Sequence, residues 1–113
     1  MSEGRLAAGV EAGSFLRRAA GLGGFGAVLQ RGDAERGTLL LIVTERGEHR
    51  GILERRLAGA NGYRWVLTGP RQAESSGVTQ YLARVRRNDP DCWVLELDIP
   101  SSERFIAETI GGG

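Results

Sequence analysis

Thr38-Leu39-Leu40-Leu41-Ile42-Val43-Thr44-Glu45 contains five consecutive aliphatic residues at 39–43. Successive side chains of a strand point to opposite faces, so this run presents apolar groups on both. A strand of that kind belongs in the middle of a sheet. Upstream, a first strand is predicted over 25–31, separated from the aliphatic run by a polar loop at 32–37. Downstream, Gly47 leads to a third strand over 51–57, and Asn61-Gly62 reads as a hairpin turn because both positions suit positive φ. The fourth strand, 63–68, alternates cleanly, with Tyr63, Trp65 and Leu67 on one face, and Gly69-Pro70 ends it.

Helices flank these strands. Over 6–22, Leu6, Val10, Leu16 and Ala20 fall on one side at helical spacing, and Gly21, Gly23 and Gly24 stop the helix. After a polar connection at 70–77, a second helix is predicted over 76–88 with Val78, Tyr81, Leu82 and Val85 as its buried stripe. Pro90 prevents continuation. A last strand over 92–98 puts Trp93, Leu95 and Leu97 on one face, and Glu96 and Asp98 on the wet face of an edge strand. Ser101 or Ser102 caps a short helix reaching Ile110. The predicted fold is α+β in the order α-β-β-β-β-α-β-α. Its antiparallel sheet has about five strands, a four-strand meander plus a later one, with the two main helices covering one face.

Composition bounds the function. A chain of 113 residues is the size of one domain, with an ordered core expected over about 6–110 and a frayed C-terminal glycine run. Hydrophobic residues at 41% and charged residues at 26% exclude a disordered chain. All 15 basic residues are arginine, and 14 acidic residues leave a net charge of +1. A dedicated nucleic-acid binder carries a larger, clustered excess. Cys92 is the only cysteine, so no intrachain disulfide forms, which fits a reducing compartment. No signal-like run and no apolar span of about 20 residues is present, so a cytoplasmic location without membrane contact is expected.

Several segments together resemble a family of uncharacterised alphaproteobacterial proteins, domain of unknown function 1491. They are Phe15-Leu16-Arg17-Arg18-Ala19, Val28-Leu29-Gln30-Arg31-Gly32-Asp33, Leu53-Glu54-Arg55 and Tyr63-Arg64-Trp65. The longest is Arg86-Arg87-Asn88-Asp89-Pro90-Asp91-Cys92-Trp93-Val94-Leu95-Glu96-Leu97-Asp98, followed by Glu103-Arg104-Phe105-Ile106-Ala107-Glu108. Cys92 departs from the pattern, in which a large aliphatic residue is usual. The resemblance implies a bacterial, intracellular, single-domain protein, and supplies no activity and no catalytic residues.

Individual motifs read mostly as structure. Gly21-Leu22-Gly23-Gly24-Phe25-Gly26 has the G-x-G-x-x-G spacing, but here a helix ends and a strand begins, the reverse of a dinucleotide site. Arg31-Gly32-Asp33 sits in a loop, where Gly and Asp are ordinary turn residues. Cys92 follows Asp91 and reads as a small buried hydrophobe, and His49 between Glu48 and Arg50 as a solvated turn residue. No G-x-S-x-G elbow exists. Asp89, Asp91, Glu96 and Asp98 form the densest acidic group, with carboxylates of the type that holds Mg²⁺ beside a phosphate. Arg17, Arg18, Arg84, Arg86 and Arg87 are expected to form one basic patch if the two main helices lie side by side.

The expected function is therefore a small non-enzymatic binding or adaptor domain. It uses that arginine-rich helical surface, without cofactor, to meet an acidic protein surface or RNA. The competing reading is a phosphate-handling or metal-dependent enzyme built on Asp89, Asp91, Glu96 and Asp98. A third reading is RNA binding, which predicts strong loss of affinity with salt. A single-stranded platform would need exposed aromatic rings beside its basic groove, whereas Tyr63, Trp65 and Trp93 are predicted to be buried.

Overall fold

The computed structural model describes residues 7–59, 62–68 and 75–111. The elements follow the predicted order: α1 (Ala8–Gly21), β1 (Phe25–Gln30), β2 (Leu39–Glu45), β3 (Glu48–Leu57), β4 (Tyr63–Thr68), α2 (Ser75–Asn88), β5 (Trp93–Asp98) and α3 (Ser102–Ile110). Leu6, Asn61, the 69–74 part of the polar connection and the last two glycines lie outside the described residues. Gly62, the second position of the predicted hairpin turn, has φ +110°.

The five strands form one sheet of order β1-β5-β2-β3-β4, so the expected four-strand meander is a three-strand meander, β2 to β4. β5 enters between β1 and β2, antiparallel to the first and parallel to the second. Two local features explain the correction. The 31–38 connection is too long for a tight hairpin. It folds instead around the Trp93 indole, whose Nε1–H donates to the Asp33 carbonyl at 2.8 Å. β5 itself is buried at Trp93, Val94, Leu95 and Leu97, on both faces, so it is a central strand and not the edge that Glu96 and Asp98 suggested. β2 is central as expected, buried from Leu39 through Thr44.

The helices cover both faces of the sheet. Leu39, Leu41, Val43, Trp93, Leu95 and Leu97 face α1 and α3, joined there by Phe15, Leu16 and Phe105. Leu40, Ile42, Ile52, Cys92 and Val94 face α2 through Val78, Tyr81, Leu82 and Val85, the stripe expected for that helix. The stripe of α1 differs from expectation: Ala8, Ala12 and Ala19 are buried while Val10 is 54% exposed and Ala20 faces solvent. Small alanines let the helix approach the sheet closely, and hydropathy alone does not rank them above valine.

The close approach recurs in the glycine-rich segment. A Cβ on Gly24 would lie 2.0 Å from the Asp98 carbonyl oxygen, so any side chain there collides with the β5 backbone. The glycine spacing serves the turn from α1 into β1, not a phosphate. Arg46 (φ 54°) and Gly47 (φ 81°) make the β2–β3 turn, so β3 begins at Glu48 and His49 is a strand residue opposite Thr44.

Candidate functional site

The C-terminal half of α2 and the sheet beneath it bring together residues that the sequence placed in competing groups. A cleft of about 240 Å³ there is lined by Thr38, Glu54, Tyr81, Arg84, Asp89 and Cys92 among others. The helical stripe tilts Tyr81 and Val85 towards the sheet, and this leaves Arg84 on the rim, 5.6 Å above the Tyr81 ring. The helix end is tied to β1. Arg86 Nη2 donates to the Leu29 carbonyl at 3.4 Å, and Gln30 Nε2 donates to the Asp89 and Cys92 carbonyls at 3.2 and 2.8 Å. Arg86 and Arg87 stand in the last turn, where cations suit the negative end of the helix.

Cys92 forms part of the floor. It is 4% exposed, and burial pushes its thiol pKa up, with Asp89 and Glu54 adding to the effect against a hydrogen bond from Thr38. A protonated thiol in this setting is packing material and not a nucleophile. His49 lies on β3 at the other end of the β2–β3 hairpin, so the thiol and imidazole are not brought together.

The acidic group divides along β5. Asp89 and Asp91 precede the strand, while Asp98 ends it. Asp98 is committed to structure: the Thr44 hydroxyl donates to it at 2.9 Å, and the Arg46 and Gly47 N–H groups donate at 3.1 and 2.8 Å. Burial raises its pKa, but these donors together outweigh it and hold the carboxyl below its ordinary value. Asp33 is likewise a turn residue, its Oδ1 accepting from Glu35 N–H and Arg36 N–H. Among the described residues, no three His, Cys, Asp or Glu side chains converge as metal ligands.

The five candidate arginines also divide. Arg17 and Arg18 belong to α1 on one face of the sheet, and Arg84, Arg86 and Arg87 to α2 on the other, so they do not form one patch. Trp93 is buried under α1, and Trp65 packs edge-on against Phe15 with centroids 5.5 Å apart. Tyr63 is 37% exposed and lies under the Arg55 guanidinium. Glu54 and Tyr81, which are not among the sequence-predicted site residues, also line the cleft. The signal was present at Tyr81, a hydroxyl within an otherwise apolar stripe.

The family described as "Protein of unknown function (DUF1491)" matches residues 6–107. The chain belongs to this family. Solved structures agree. A crystal structure of a DUF1491 family protein from Caulobacter crescentus is 28% identical with TM-score 0.73, over 81% of this chain and 86% of that one. An NMR structure of a DUF1491 family protein from the same organism is 28% identical with TM-score 0.72, over 84% and 87% of the two chains. The solution structure of Atu0922 from A. tumefaciens, 23% identical, shares the fold with TM-score 0.69 over 86% and 88%. A search of curated proteins finds no match. The DUF1491 relatives name no activity. Among the described residues, no helix is long and apolar enough to cross a membrane.

Proposed function

We propose that this DUF1491 protein is a non-enzymatic binding domain whose recognition surface is the end of α2, with Arg84, Arg86 and Arg87 receiving an acidic protein partner. The supporting observation is that these three guanidinium groups have no carboxylate partner among the described residues. Arg50, Arg55, Arg56 and Arg104 are each paired with a glutamate. Other arginines such as Arg18 are also without one among the described residues, but the end of α2 gathers three such groups within four residues. Arg86 gives one N–H to the Leu29 carbonyl, and its remaining donors, with those of Arg84 and Arg87, are left for an incoming carboxylate, which a guanidinium fork binds in two-point fashion. Tyr81 and the cleft beside Arg84 supply an apolar and hydrogen-bonding margin to the charged surface.

The enzymatic alternative lacks a comparable arrangement, because Asp98 is spent on the β2–β3 turn and stands at the far end of β5 from Asp89 and Asp91. The test is native purification from source cells of the wild type and of an R84Q/R86Q/R87Q variant, with co-purifying molecules identified by mass spectrometry. A protein captured by the wild type and lost from the variant supports the proposal. Capture of RNA that falls steeply with salt would replace the acidic protein by nucleic acid. Equal capture by a well-folded variant would remove the α2 arginines from the account.

A further inference from the structure

On the face opposite α2, a cavity of about 330 Å³ opens between the end of α1 and α3. That volume falls within the size range of small-molecule sites, which begins near roughly 300 Å³; the cleft under α2 is smaller. The cavity walls are apolar at Leu22, Pro100 and Phe105, and Leu22 is 45% exposed. Two guanidinium groups from different helices border the same space. Arg18 lies 4.7 Å from the Phe105 ring centroid, and no carboxylate pairs with it among the described residues. Arg104 donates through Nε to Glu108 Oε2 at 3.1 Å. Two arginines against one glutamate leave a single positive charge at the cavity.

A guanidinium stacked on a ring uses its face and keeps its edge N–H donors available to a planar acceptor. We infer that this cavity is a binding site for a small monocarboxylate with an apolar body. The carboxylate would sit on the edge of Arg18, and the body would cover Leu22 and Pro100. One net charge matches a monoanion, and the apolar wall distinguishes such a ligand from inorganic phosphate, which would leave Leu22 in water.

The experiment is an amide-resolved NMR titration of the full chain with phenylpropionate, its neutral amide and inorganic phosphate. The expected result is saturable shifts around Arg18, Leu22 and Ser101 with the acid, and binding of the amide weaker by about tenfold or more, the worth of a charge-assisted hydrogen bond. R18Q should weaken the acid by a similar factor without lowering the melting temperature. If R18Q disturbs folding, Leu22→Ser supplies a second reading, because it removes the apolar wall from an exposed position and should weaken the acid but not phosphate. Equal binding of acid and amide would overturn the proposal. So would acid-induced shifts elsewhere or none, phosphate reproducing the same shifts as tightly, or a well-folded R18Q that binds like the wild type.

Discussion

The two faces of the sheet are covered by different means. Under α1 and α3, twelve buried residues among those described form one cluster, extended by half-buried Phe15, Leu16, Trp65, Leu67 and Ile106. Under α2 the buried cluster among the described residues has five members, four from the strands and Cys92 just before β5, and the helix contributes half-buried Val78, Tyr81, Leu82 and Val85. α1 is further fixed by Glu11, which pairs with the buried Arg55 of β3, and α3 by the Ser102 hydroxyl and N–H, which donate to Glu45 at 2.7 and 3.2 Å. α2 has no corresponding buried ion pair among the described residues. The difference assigns fold stability chiefly to the α1–α3 face and leaves the α2 face free for the proposed docking of a protein partner, since elements with few buried contacts open at lower free energy.

The largest expected effect tests that asymmetry directly. Trp93→Ala on the α1 face should cost about 3–5 kcal/mol by urea unfolding, because it empties a buried site. It also removes the indole bond that organises the 31–38 loop. Leu82→Ala on the α2 face should cost about 1–2 kcal/mol, as a half-buried leucine leaves little cavity. Similar losses for the two would break the distinction. Gly24→Ala should destabilise by about 2–3 kcal/mol in the same assay, since the new methyl meets backbone and not a movable side chain.

Much of this was legible in advance, and the misses have particular causes. Leu39 to Val43 identified a central strand because only burial on both faces tolerates that run. β5 was misplaced because Glu96 and Asp98 looked like a wet face. Asp98 is polar for a different reason, as the acceptor for the β2–β3 turn, and that bond joins residues more than fifty positions apart. The pairing of β1 with β5 depends on a loop wrapped around one indole, which no local pattern announces. Because the sheet is covered on both sides, helices expected as neighbours were separated, and with them the expected arginine patch. The candidate site was legible only in part. The end of α2 was visible as three arginines, whereas the meeting of Arg84, Asp89 and Glu54 in one cleft arises from strand order.

Acid stability offers a finer test. Asp98 and Glu45 have folded pKa values below their ordinary ones; for Glu45 the Ser102 hydroxyl is the main cause, followed by the Ser102 N–H. Groups lowered by folding stabilise the fold above their unfolded pKa of about 4, and that stabilisation is lost as pH falls towards the folded value. Asp98→Asn should therefore flatten the fall in melting temperature below about pH 4, while destabilising the chain at neutral pH by about 1–2 kcal/mol through weaker hydrogen bonds to the turn. An acid limb identical to the wild type would show that Asp98 titrates alike in both states. Smallest of all, R84Q/R86Q/R87Q should shift stability by no more than about 0.5 kcal/mol per position, as surface substitutions do.

The division of labour between the two faces is tested most directly by native-state hydrogen exchange, read amide by amide. The account predicts that the α2 amides, around Tyr81 to Val85, exchange through a partial opening of lower free energy than the β2 and β5 amides, while α1 is protected more nearly like the sheet. If α2 exchanges only with global unfolding, at the same free energy as the central strands, the two faces are equally anchored and the assignment of fold stability chiefly to the α1–α3 face is contradicted.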